Sequence, residues 1–300
     1  MAAVSDVLPL VISLMLLIAS ILLNSMGVYL LSNYGNKTSN QRIIMIHLSG
    51  TELALATTEI VYWSFVWAGH EEETSAILQS IVIINAGIFG TYYLVLIALT
   101  LDRLLASVLT IRHLTICSKP RVIKALLVAW VLGLTSSVPF FIVEFENIYD
   151  IYYKVNFLCL DTIFLSCAII TYSYILAQIL KRRRKLRDQA LSSTNHSISL
   201  TGQSQYYKVT TFIIVSFIFL VAIPDIVYIH RFIITEVGST IEESIIEIVW
   251  QLNFLVDPVI YIFCQKTLIK GFFKTLRKLG WKRQSQRIGT EITTIRGSAC

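Results

Sequence analysis

A chain of 300 residues that is 55% hydrophobic and only 15% charged is not a water-soluble domain, where about 25% charge is usual. Its net charge of +6 gathers in a few short segments. That pattern marks a face meeting anionic lipid and a partner protein, and it does not indicate nucleic-acid binding.

Seven segments are long enough to cross a bilayer, which takes roughly 20 apolar residues each: 7–31, 43–67, 76–101, 122–143, 156–180, 207–229 and 240–264. The first exceeds the roughly 7–15 apolar residues of a signal peptide. No basic residue precedes it, so it reads as a retained helix. The second carries Glu52 and Glu59, which a hydropathy window penalises. The third is uncharged from Thr74 to Leu101 and ends at Asp102-Arg103. Pro139, Pro224 and Pro258 fall within the fourth, sixth and seventh segments, where each can kink a helix. The seventh contains Glu242, Glu243, Glu247 and Asp257 and is the weakest by hydropathy.

After the fifth segment a basic block, "KRRRKLR", extends the helix and anchors it to lipid, and a flexible polar stretch follows. After the seventh, "QKTLIKGFFKTLRKLGW" alternates Leu268, Ile269, Phe272, Phe273 and Leu276 with lysines and arginines near helical spacing. It reads as an amphipathic helix lying on a membrane surface. The expected organisation is a membrane domain over 1–265, the surface helix over 266–280 and a disordered tail over 281–300. The fold expected is an all-α seven-transmembrane helix bundle.

Charge orients it. With the N-terminus outside, all of the 25 Lys and Arg residues except Lys154 and Arg231 fall in cytoplasmic segments or the adjoining helix ends. The outer loops "HEEE" and "EFENIYD" are acidic. This is the positive-inside asymmetry. Of the five cysteines only Cys159 lies near the outer surface, so no disulfide is expected. The sequons at Asn36 and Asn195 fall on the inner side.

The polar residues inside the apolar segments carry the functional information. Glu52 follows Arg42, and Asp257 precedes Lys266; at 1.5 Å per residue both acids lie about 14 Å in from one face. Asn24 and Asn253 sit at similar levels. Buried carboxylates need a proton, a cation or a partner. A hydrated cluster with shared protons and one holding a sodium ion are both open readings.

Taken in order, these residues resemble the rhodopsin-like (class A) family of G protein-coupled receptors. Asn24 matches its first-helix asparagine. "LSGTEL" resembles its second-helix pattern, with Glu52 for aspartate. Asp102-Arg103-Leu104 resembles its "DRY". Trp130, Tyr172 and Pro224 match its fourth-, fifth- and sixth-helix residues. Asp257-Pro258-Val259-Ile260-Tyr261 resembles its "NPxxY". The resemblance covers about residues 8–280. It implies a plasma-membrane receptor with an extracellular N-terminus that passes a ligand signal to a heterotrimeric G protein. Asp102, Arg103, Tyr172, Pro224, Asp257, Pro258 and Tyr261 would then serve activation and coupling. Asn24, Glu52, Asn253 and Asp257 would form the sodium-type site. The chain departs from the family at Leu78 (usually cysteine), Phe164 (usually proline), Ala222 (usually tryptophan) and Leu104 (usually tyrosine).

The resemblance also implies a ligand pocket among Glu59, Asn85, Asp225, Tyr228, Glu247 and Gln251. Asn85 stands at the amine-binding aspartate position and Gln251 at the retinal-lysine position, which argues against a conventional monoamine receptor and an opsin. The acids suit a cationic ligand, such as a basic peptide or an atypical amine; pairing with His230, Arg231 or water is the competing reading. A secondary transporter or channel using the buried acids is the alternative class, and it predicts internal repeats, which the sequence lacks. No metalloprotease, nucleophile-elbow or phosphate-loop motif suggests an enzyme, and no organic cofactor is implied.

Overall fold

The computed structural model describes residues 4–35, 40–67, 75–109, 113–138, 159–160, 162–175, 177–178, 180–181, 211–224, 226–227 and 240–278. All regular structure among them is helical. In chain order, α1 is Val4–Tyr34, α2 Asn40–Trp67, α3 Ser75–Leu109, α4 His113–Ile116 and α5 Lys119–Thr135. Next come α6, Thr162–Ile175, and α7, Thr211–Ala222, then α8, Thr240–Cys264, and α9 over 266–278. The last turn of α7, Ile218–Ala222, is a π-helix.

Three helices hold stretches long and apolar enough to cross a bilayer: Leu8–Tyr34, Ala76–Leu109 and Ile245–Cys264. They suggest a membrane protein. The distribution of side chains agrees, because it inverts that of a soluble protein. Met15 is 67% exposed and Phe219 65%, while Ser20, Asn24, Ser49, Glu52, Asn253 and Asp257 are fully buried. Apolar side chains face outward as they would toward lipid, and polar groups find partners only inside.

The helices pack around one core. α1 lies against α2 and α8, and α3 against α2 and α5. Rings close the remaining sides. Phe164 of α6 meets Phe217 of α7 with centroids 4.7 Å apart. Tyr93 of α3 meets Phe217 at 5.1 Å, and Tyr92 meets Phe254 of α8 at 6.2 Å. Such edge-on pairs are each worth about 0.5–1.5 kcal/mol beyond the area they bury. Glycines permit close approach, Gly133 and Gly271 among them. A Cβ on Gly133 of α5 would meet the Thr91 backbone of α3. One on Gly271 of α9 would strike the ring of Tyr34, which seats α9 against the end of α1.

Helix limits depart from the sequence expectation in the third and fourth segments and agree with it in the second. The third segment does not stop at Asp102-Arg103: α3 continues to Leu109, because Asp102 is engaged by side chains and good helix formers follow. The fourth stops early, at Thr135, with turns to Val138. There Thr135, Ser136 and Ser137 turn their hydroxyls back onto the carbonyls of Leu132, Gly133 and Leu134, which draws those acceptors away from a continuing ladder. α2 is a continuous 28-residue helix despite Glu52 and Glu59, because Glu52 points into the bundle. Pro139, most of the basic block after segment five, the tail 281–300 and the sites Asp225 and Tyr228 lie outside the described residues.

Candidate functional site

Proline at 258 lacks an N–H, so the carbonyl four residues earlier, Phe254, loses its helical partner. The structure supplies replacements from another helix. Asn24 Nδ2 of α1 donates to the Phe254 oxygen at 3.0 Å, and Ser20 Oγ does so at 3.4 Å. Asn24 Nδ2 also reaches Ser20 Oγ at 3.2 Å. The asparagine of α1 thus repairs the break in α8.

Beside the break, Asp257 is fully buried and held from two further helices. Tyr92 of α3 donates its hydroxyl to Oδ2 at 3.2 Å. Ser216 of α7 donates to Oδ1 at 3.1 Å. Asn253 Nδ2 in turn donates to the Tyr92 oxygen at 2.6 Å. Four residues beyond Asp257, Tyr261 shares a 2.5 Å hydrogen bond with Ser49 of α2, and its ring lies against Gly27 of α1. Five helices therefore meet at one polar knot.

The knot has an excess of acceptors. Asn24 Oδ1, Asn253 Oδ1 and both carboxylate oxygens of Glu52 are buried without a hydrogen-bond partner among the described residues. Glu52 nevertheless faces Asp257 and Asn24 closely enough for their side chains to interact. All four orphans are oxygens that accept and cannot donate unless protonated. Such a set takes up a proton, water or a hard cation. No group of three or more His, Cys, Asp or Glu side chains gathers among the described residues, so a cation here would be held largely by amide oxygens and two carboxylates. That all-oxygen donor set fits a hard cation rather than a soft metal that seeks nitrogen or sulfur ligands.

Toward the end where α1 begins and α8 starts, a second cluster forms. Asn85 of α3 donates to Glu59 of α2 and accepts from Thr58 at 3.1 Å. Trp63 Nε1 donates to Glu247 of α8 at 2.9 Å. Gln251 Nε2 donates to the same carboxylate at 3.1 Å and to Ser13 of α1 at 2.6 Å.

At the opposite end, Asp102 is 5% exposed and Arg103 8%, and the two form an ion pair. His113 of α4 closes the other side, with Nε2 3.1 Å from Asp102 Oδ1. A short bond to α2 fixes α4 in place: Asn40 Nδ2 donates to the Cys117 carbonyl at 2.5 Å. Burial, then the charge of Asp102, raises the Cys117 thiol above its usual range, while Arg121 works against them.

The structure thus gathers Asn24, Glu52, Asn253 and Asp257 at one level, Glu59, Asn85, Glu247 and Gln251 at another, and Asp102 with Arg103 at the third. Tyr172 lies on α6 and Pro224 just beyond the π-turn of α7. Sequence reasoning missed Tyr92, Ser216, Ser49, Ser20 and His113. Ser20 is four residues before Asn24 and so shares its face, a signal that was available. Tyr92 and Ser216 lie in apolar runs and gave none. No protein-family pattern matches the chain, and comparison with characterised proteins finds no similar sequence.

Proposed function

We propose that this chain is a divergent receptor of the rhodopsin-like (class A) type, crossing the plasma membrane seven times with its N-terminus outside and passing an extracellular ligand signal to a heterotrimeric G protein. The observation that carries the reading is the polar knot: a proline-broken helix repaired by an asparagine from α1, beside a buried carboxylate held from α3 and α7. Soluble-type packing has no use for such an expensive arrangement. A joint that must switch between two hydrogen-bonding patterns does.

In this reading the ligand acts on the Glu59–Glu247 end and the G protein on the Arg103 end. α7 carries the hinge. Its π-turn lets the Ile223 N–H bond the Ile218 carbonyl, and Pro224 removes the next donor, so the helix is softest between its two ends. Movement of α7 takes Ser216 away from Asp257 and frees the carboxylate to change partners. A sodium ion or a shared proton at Glu52 and Asp257, with Asn24 and Asn253, biases which state prevails. A bound sodium ion would offset the charge of one of the two carboxylates, leaving the other to be met by a proton or by the surrounding hydrogen-bond donors. Release of Arg103 from Asp102 then exposes a guanidinium to the partner.

The test is a panel of G protein activation reporters in cells expressing the chain. Basal or ligand-driven output is expected, and Arg103→Ala is expected to lower it at matched surface expression. Ion flux without any reporter response would favour the transporter or channel class instead. Unchanged output from Arg103→Ala would remove that residue from coupling.

A further inference from the structure

The second cluster surrounds a cavity of about 40 Å3 between α2, α3 and α8, lined by Glu59, Asn85, Phe89, Glu247, Trp250 and Gln251 among others. No Lys, Arg or His appears among its described lining residues, and the two glutamates are close enough for their charges to act on each other. The side-chain amide donors on its walls are committed, Asn85 Nδ2 to Glu59 and Gln251 Nε2 to Glu247, and Glu247 also accepts the Trp63 indole N–H from beyond the lining. What remains is acceptor capacity, since a carboxylate offers about four lone-pair sites. Independently, Gln251 is 2% exposed and its Oε1 has no hydrogen-bond partner among the described residues. A buried amide oxygen beside two acids calls for a donor, and none of the described residues supplies it.

We infer that this cavity binds the head of a primary alkylammonium ion, whose N–H groups bond Glu59, Glu247 and Gln251 Oε1. The alternatives fit less well. A quaternary ammonium has no N–H and leaves Gln251 Oε1 orphaned. Calcium takes roughly six to eight oxygens, more than two carboxylates and one amide provide. An anion meets only negative walls. The Phe89 and Trp250 rings, 5.3 Å apart and tilted by 32°, give the cation aromatic surface and give a short alkyl stem a dry wall. The volume admits the headgroup and a short stem only. As the agonist class, this rests on the receptor reading; as a binding site, it does not.

The full chain in lipid nanodiscs is tested by thermal unfolding at constant ionic strength with propylammonium, tetramethylammonium, 1-propanol and calcium chloride. Propylammonium is expected to raise the Tm in a saturable manner, and the other three to leave it unchanged. Glu59→Gln, Glu247→Gln and Gln251→Leu are each expected to weaken propylammonium by about tenfold, the scale of one charge-assisted hydrogen bond. Glu59→Asp, which keeps the charge, should lose less than Glu59→Gln. No shift with propylammonium overturns the site, and so do equal shifts with tetramethylammonium or calcium; the wild-type chain alone decides these points, whatever the variants' folding. Folded variants with undiminished affinity overturn the residue assignment. Arg103→Ala should retain full binding, so loss of coupling and loss of the site are read separately. Saturable binding without any reporter response overturns the agonist assignment and leaves the site standing.

Discussion

Asn24 and the carbonyl that Pro258 orphans, Phe254, are 230 residues apart, yet the two side chains solve one problem. The proline orphans the Phe254 carbonyl, and Asn24 takes it up at 3.0 Å. Asn24→Leu should therefore destabilise the protein by about 1–2 kcal/mol, read as a lower Tm in nanodiscs. Pro258→Ala in that background restores an N–H in reach of the carbonyl and should recover part of the loss. Equal loss with and without the proline would show that Asn24 acts some other way. Asn24 and Pro258 were both legible as polar or strained points in apolar runs; that one serves the other was not, because hydrogen-bond partnership across helices has no trace in local spacing. His113 is the plainer omission. It lies in a basic connecting segment with nothing to distinguish it, yet it holds Asp102 opposite Arg103. If Arg103 is released on activation, His113→Ala should raise basal reporter output, since Asp102 loses one of its two restraints. Unaltered basal output at matched expression would make the contact merely structural.

Helix existence followed from apolar run length, whereas helix ends did not. α3 runs past the Asp102-Arg103 boundary because the two charges pair with each other where they stand. α5 ends early where hydroxyls back-bond to carbonyls. Both outcomes depend on what is near the side chain, which a hydropathy window does not see. The contact between α3 and α5 is tightest at Gly133. At Gly133 an added Cβ would meet backbone, which cannot swing aside. Gly133→Val should push the helices apart and cost about 1–3 kcal/mol, seen as a lower Tm. Gly50, where a Cβ meets nothing within 4 Å, is the matched control: Gly50→Ala should be neutral or slightly stabilising in a helix.

Across the whole molecule, Glu52 and Asp257 are expected to act as a unit. They sit on α2 and α8 and face each other in a knot with more acceptors than donors. A double-mutant cycle with Glu52→Gln and Asp257→Asn should show coupling of about 0.5–3 kcal/mol in thermal stability, with each single change relieving like-charge repulsion that the second can no longer relieve. Strict additivity would separate the two acids. Sodium titration then distinguishes a bound ion, which stabilises with rising sodium at fixed ionic strength, from a shared proton, which does not respond. By itself the sequence determined that the chain is helical and suited to a membrane, because apolar length and scarcity of charge are local properties that lipid reads directly. It also determined which polar residues would be costly there, since depth along a helix is simple arithmetic. Only the tertiary structure decided which of them share partners. Tyr92, Ser216 and Ser49 enter the site through helix rotation and close packing, and rotation is set by the neighbouring helices.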